Sequence, residues 1–90
     1  MSTENVDNVT PDQIRSARAL LDMTQPQLAS AAELGLSTVV DFERSRRAVS
    51  REAIQAMRAA LERAGIEFID ENGGGPGVRL RKRQRLKKTK

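Results

Sequence analysis

Eight of the sixteen basic side chains crowd into the last twelve residues: Arg79, Arg81, Lys82, Arg83, Arg85, Lys87, Lys88 and Lys90, with no carboxylate among them. Cations repeated without acids suit phosphate neutralisation, in which each contact releases a counterion and steepens the salt dependence of binding. The preceding 78 residues carry eight arginines against twelve carboxylates, a net of −4, so a +8 end is attached to an acidic body. Such a run cannot collapse into a core, and residues 82–90 are expected to be disordered when free; the bland alternative is a solvated, repelling end. Catalytic chemistry has little to work with. There is no histidine, cysteine or tyrosine, and no spacing gathers the remaining carboxylates, hydroxyls and lysines into a pair. The three glycines at 73–75 lack the Lys-Ser/Thr and the helix of a phosphate loop and read as turn chemistry. Neither an enzyme nor a cofactor or metal site is expected.

The elements that must carry any binding surface are read from caps and periodicity. Met1 to Val9 is polar and aperiodic and is expected to fray. Thr10-Pro11-Asp12-Gln13 is a strong helix start, with a Thr cap, Pro early, an acid near the positive end and Gln three residues on. A first helix over about Pro11 to Asp22 buries Ile14, Ala17 and Leu21, with Leu20 flanking. Thr24 and Gln27 form a second capping box, with Pro26 in the first turn, so a second helix begins near Gln25. A third helix, capped at Gly35, spans about Leu36 to Arg44. Ser50 caps a fourth that ends near Ala64, with Ile54, Met57 and Leu61 as its stripe, Ala53, Ala60 and Ala64 allowing close packing, and Gly65 as the stop. Ile66 to Ile69 and Val78 to Arg81 alternate on either side of a Gly- and Pro-rich loop, which reads as a hairpin. Two strands alone are marginal, so the hairpin packs on the helices or pairs across a dimer.

Within this series the segment Gln25 to Arg44 has a special pattern. Two short helices that meet through a tight turn need a small residue at their closest approach and apolar residues on both inner faces. Ala29 is the small residue, Leu28 and Ala32 share one face, Leu34 plugs the turn, and Val39 and Phe42 share the inner face of the next helix. On Thr24-Gln25, Leu28-Ala29, Leu34, Ser37-Thr38-Val39 and Phe42-Glu43, over roughly Pro11 to Leu61, the chain resembles the Xre/Cro family of helix-turn-helix regulators. Residues 60–81 also resemble a tail found on small proteobacterial members. One departure is Glu33, where the family usually has glycine because the position tends toward positive φ; a side chain there implies strain or an altered turn.

The resemblance implies an all-α, lambda-repressor-like helix-turn-helix domain of four helices over residues 10–65, then a hairpin over 66–81 and a disordered basic tail over 82–90. It implies that helix three enters the major groove of double-stranded DNA, with Leu36, Ser37, Thr38 and Asp41 at base edges and Val40 at the margin. Ser and Thr can bond several bases, Leu can meet a thymine methyl and Asp can accept from cytosine N4, but none offers a bidentate contact. Gln25 matches a family phosphate contact at a helix's positive end. Arg44, Arg46 and Arg47 are further phosphate candidates, as are Arg81, Lys82, Arg83, Arg85, Lys87 and Lys88 of the tail, against a background in which basic loops are ordinary surface charge. Arg18, beside the apolar stripe of helix one, reads by itself as a snorkelling surface arginine; the family implies that it pairs with Glu43.

Ninety residues make one small domain whose core favours self-association, so a homodimer is expected. With no cysteine, no signal peptide and no membrane-length apolar run, a cytoplasmic, bacterial-type protein is expected. The function expected is sequence-specific DNA binding and transcription regulation, repression above activation. The rival is a protein-interaction module, an anti-activator or antitoxin, suggested by the acidic body and by Leu36, Val40 and Asp41 on helix three.

Overall fold

A computed structural model describes residues 9–69 and 75–81. The expectations for residues 1–8, for most of the hairpin loop and for the tail from Lys82 lie outside the described residues. The chain forms α1 (Pro11–Leu21), α2 (Gln25–Ala32), α3 (Leu36–Glu43) and α4 (Arg51–Arg63), followed by β1 (Ile66–Ile69) and β2 (Gly77–Leu80). The fold is thus four helices and a short hairpin.

Each helix starts where its cap chemistry dictates. The Thr10 hydroxyl accepts from the Gln13 backbone N–H while the Gln13 side chain accepts from Thr10, and Thr24 and Gln27 repeat the arrangement at α2. Ser50 accepts from the Ala53 N–H at the start of α4, and only Gly35, before α3, brings no side-chain cap. The first three helices end alike, each followed by a residue in the left-handed region: Asp22 at φ 56°, Glu33 at φ 59° and Ser45 at φ 54°. Beyond each of these, an N–H reaches back five residues, Met23 to the Arg18 carbonyl, Leu34 to Ala29 and Arg46 to Asp41, which satisfies carbonyls the helix leaves open. The turn at Glu33 is therefore the ordinary left-handed one, and its side chain costs strain. After α4 the same task falls to Gly65, at φ 113°.

The core joins Ile14 and Ala17 of α1, Leu28, Ala29 and Ala32 of α2, Val39 of α3, Met57, Ala60 and Leu61 of α4 and Ile66 of β1; Leu21, Leu34, Phe42, Ile54, Phe68 and Val78 pack partly buried around it. α2 packs on both α3 and α4, and α1 packs on α3, α4 and β2. Two residues differ from expectation. Val9 does not fray but is buried, an apolar residue seated in the core before α1 begins. Ala64 is exposed, because α4 ends at Arg63 and the chain turns away into β1. Leu20, expected to flank the stripe of Ile14 and Ala17, does so and is 45% exposed.

The hairpin is antiparallel, with Ile66 opposite Leu80 and Phe68 opposite Val78, so these four share one face. Its end is fastened by Gln13, which is buried and whose Nε2 donates to the carbonyls of Ile69 (3.3 Å) and Gly77 (3.0 Å). One glutamine thus caps α1 through its Oε1 and holds the hairpin through its amide nitrogen. Replacing Gln13 with Leu should destabilise the fold by about 2 kcal/mol, since two half-buried carbonyls lose their donor and the cap bond is lost with them; urea unfolding checks this, with loss no greater than that of Thr10→Ala counting against the hairpin role. Glu33→Gly should raise stability by about 1 kcal/mol by relieving the left-handed strain, read as a higher Tm.

Candidate functional site

The surface of interest lies where α1, the start of α2 and the end of α3 converge on one carboxylate. Glu43 is only 2% exposed. Its Oε2 accepts from Arg18 Nε at 2.7 Å, and its Oε1 accepts from Arg18 Nη2 at 2.8 Å and from Gln25 Nε2 at 3.0 Å. Arg18 thus grips Glu43 as a fork, and its remaining Nη1 donates to the Met23 carbonyl at 3.0 Å. Arg15, one turn earlier on α1, donates to the Glu43 backbone carbonyl and pairs with Asp12. The cations meet the C-terminal end of α3, where open carbonyls and the helix dipole both attract positive charge. Around this hub is an open groove of about 590 Å³ lined by Arg15, Arg18, Thr24, Gln25, Pro26, Glu43 and Arg44.

The outer face of α3 presents Leu36, 46% exposed, with Ser37 exposed and Thr38 half-buried. Asp41, one turn on, does not project freely. Its side chain is 17% exposed, and its Oδ2 accepts from Arg47 Nε at 2.6 Å, an arginine from the loop that follows α3. Arg47 also borders a small recess with Leu34, Thr38, Val49, Ser50 and Ala53, between α3 and the start of α4. Arg44 and Arg46 are exposed, and their guanidinium groups have no hydrogen-bond or ion-pair partner among the described residues.

The residues taken from the sequence as candidates therefore fall into groups. Leu36, Ser37, Thr38 and Asp41 come together on one face of α3, with Arg44, Arg46 and Arg47 at its end. Gln25 lies across the hub from them, with one amide proton on Glu43 and a second still available. Arg18 and Glu43 meet. Arg81 lies apart: its guanidinium donates to the carbonyls of Glu62 (2.8 Å) and Ile66 (3.4 Å), where it caps the end of α4. Lys82, Arg83, Arg85, Lys87 and Lys88 lie outside the described residues. The sequence reading did not find the Arg15 contact or the Arg47 to Asp41 pair. The Arg15 and Arg18 spacing, three apart on one helix, was a usable signal for a shared cationic face; nothing in local spacing tied Arg47 to Asp41.

Together these features define a small, mainly helical protein with a braced three-helix surface and an exposed, cation-edged helix face. No helix among the described residues is long and apolar enough to cross a membrane. The chain matches no protein-family model and no curated protein.

Removing either partner of the hub should be costly, because it strands a buried charge or its donors. Arg18→Ala is expected to lose about 3 kcal/mol in chemical denaturation, whereas the apolar pair Arg18→Met with Glu43→Leu should recover much of that loss. An Arg18→Ala protein as stable as the parent would show that the pair contributes nothing.

Proposed function

We propose that α2, the Glu33–Gly35 connection and α3 form a lambda-repressor-like helix-turn-helix, in a regulator of the Xre/Cro type that binds duplex DNA sequence-specifically. The observation that carries this reading is the outer face of α3, with Leu36 and Ser37 exposed and Thr38 half-buried, set beside exposed Arg44 and Arg46 whose guanidinium groups have no partner among the described residues. A short helix face of hydroxyls and one apolar residue suits base edges in a major groove. Exposed Arg44 and Arg46 at its end, and the start of α2 with the amide of Gln25, suit the flanking phosphates. The brace at Glu43 keeps those two sets in register.

In this reading the basic tail adds affinity for any duplex and little choice of sequence. The protein acts in the cytoplasm as a homodimer, for which the small core and the two-stranded hairpin give reason. It represses, since occupying a promoter requires only binding. The exposure of Leu36 favours a second reading, in which the same face grips another protein as an anti-activator or antitoxin would.

A salt titration of binding to the promoter DNA beside its own gene, against random duplex, separates the two. The full chain should prefer the promoter DNA, and a chain ending at Arg81 should keep that preference while its log K falls less steeply with log salt, by up to about 0.9 per lost phosphate contact. Absence of any preference, with all binding lost on truncation, would transfer the reading to a protein partner. Ser37→Ala should alter the preferred sequence without changing the salt slope, as measured by selection from randomised duplexes.

A further inference from the structure

The exposed face of α3 carries no Arg, Lys, Asn or Gln, so by itself it lacks a side chain that can make a two-point contact with one base. The loop after α3 brings one to it. Arg47 Nε is fixed on Asp41 Oδ2 at 2.6 Å, and the Arg47 side chain is nevertheless 60% exposed. A guanidinium is a planar fork with five donors. With Nε occupied by the carboxylate, the Nη1 and Nη2 protons at its far edge remain to donate in parallel, the arrangement that matches O6 and N7 of guanine.

We propose that Arg47 is the guanine-reading side chain of this surface, and that Asp41 is a positioning residue that orients it. The inference rests on the DNA-binding reading above and assigns its specificity. Asp41 is 17% exposed and already holds a cation, so its carboxylate is a poor acceptor for cytosine N4, and its charge no longer repels nearby phosphates. Arg47 and Thr38 border one small recess, and Thr38 and Asp41 are one turn apart on the same helix. Asp41 also stands one turn beyond exposed Ser37, at i+4, so the carboxylate that holds Arg47 belongs to the outer face of α3. Arg44 and Arg46 have no such carboxylate partner among the described residues. A phosphate accepts a cation from many directions, whereas a base edge accepts from one, so an arginine held by a carboxylate is the one suited to a base.

The test is selection of preferred sequences from a randomised duplex with the full-length chain, its Arg47→Lys and Asp41→Asn variants, and a second round on duplexes with 7-deazaguanine at the selected guanines. Wild type should select a guanine that Arg47→Lys no longer selects, with discrimination at that base pair falling about tenfold while the rest of the sequence preference is kept. Asp41→Asn should weaken choice at that same base pair and at no other. Loss of the N7 acceptor there should weaken wild type and leave Arg47→Lys unaffected. Arg47→Lys that weakens all duplexes alike with its base preference intact would make Arg47 a phosphate contact and overturn the inference. Asp41→Asn that changes a different base pair would make Asp41 a reader and overturn it as well. A wild-type chain with no sequence preference would instead remove the DNA-binding reading, and the inference with it.

Discussion

The arrangement of the helices turns on the buried carboxylate of Glu43. It stands at the last helical position of α3, where the helix dipole disfavours negative charge, and it is almost wholly removed from water. An acid in that place is tolerated only if its oxygens are fully engaged. Arg18 supplies two donors and Gln25 a third, and Arg15 meets the carbonyl of the same residue. Because the donors come from α1 and α2, satisfying one carboxylate fixes three helices against one another. An apolar residue at the same place would fill the space without specifying which side of α1 faces α3.

That constraint matters most for α3, the element with least support of its own. It is eight residues long and has no side-chain cap at its start. Isolated helices of that length do not hold together in water, so its order is borrowed from the packing of Val39 and from the hub at its end. The apolar side is thereby committed to the core and the last turn to α1. Leu36 and Ser37 are left exposed and Thr38 half-exposed, on the side turned away from Val39.

The parts legible in the sequence were those with a range of three or four residues. Thr10 with Gln13, Thr24 with Gln27 and Ser50 each marked a helix start, because a cap is a bond between near neighbours. Boundaries and most of the core followed from them. What escaped depended on distant partners. Gln13 was legible as a capping residue, but its hold on Ile69 and Gly77 joins positions 56 and 64 residues apart. Val9 read as frayed because scattered apolar residues in a polar stretch have no periodicity, and only the assembled core shows where it goes. Arg18 was ambiguous by spacing alone, and its pairing with Glu43 came from the family resemblance. For Asp41 the helix face was legible, whereas the loop that returns Arg47 to it was not.

The Arg47 to Asp41 pair also changes how charge is distributed over the surface. A bare carboxylate in the middle of α3 would oppose any polyanion and would leave Ser37 and Thr38 in an unfavourable field. Neutralised by Arg47, it leaves the centre of the face nearly uncharged, while Arg44 and Arg46 keep the net positive charge at the edge. Attraction and discrimination are then carried by different side chains: point charges at the rim act at a distance and fade with salt, while the hydroxyls and the oriented guanidinium act only at contact. On the DNA-binding reading this separation lets the tail and rim raise the encounter rate for any duplex without blunting the choice made at α3. On the protein-partner reading the same neutral centre, with Leu36 exposed in it, is where an apolar contact would seat and where acidic side chains would meet the rim. Both readings need the carboxylate silenced, and so the loop arginine is as much a part of the surface as the helix is.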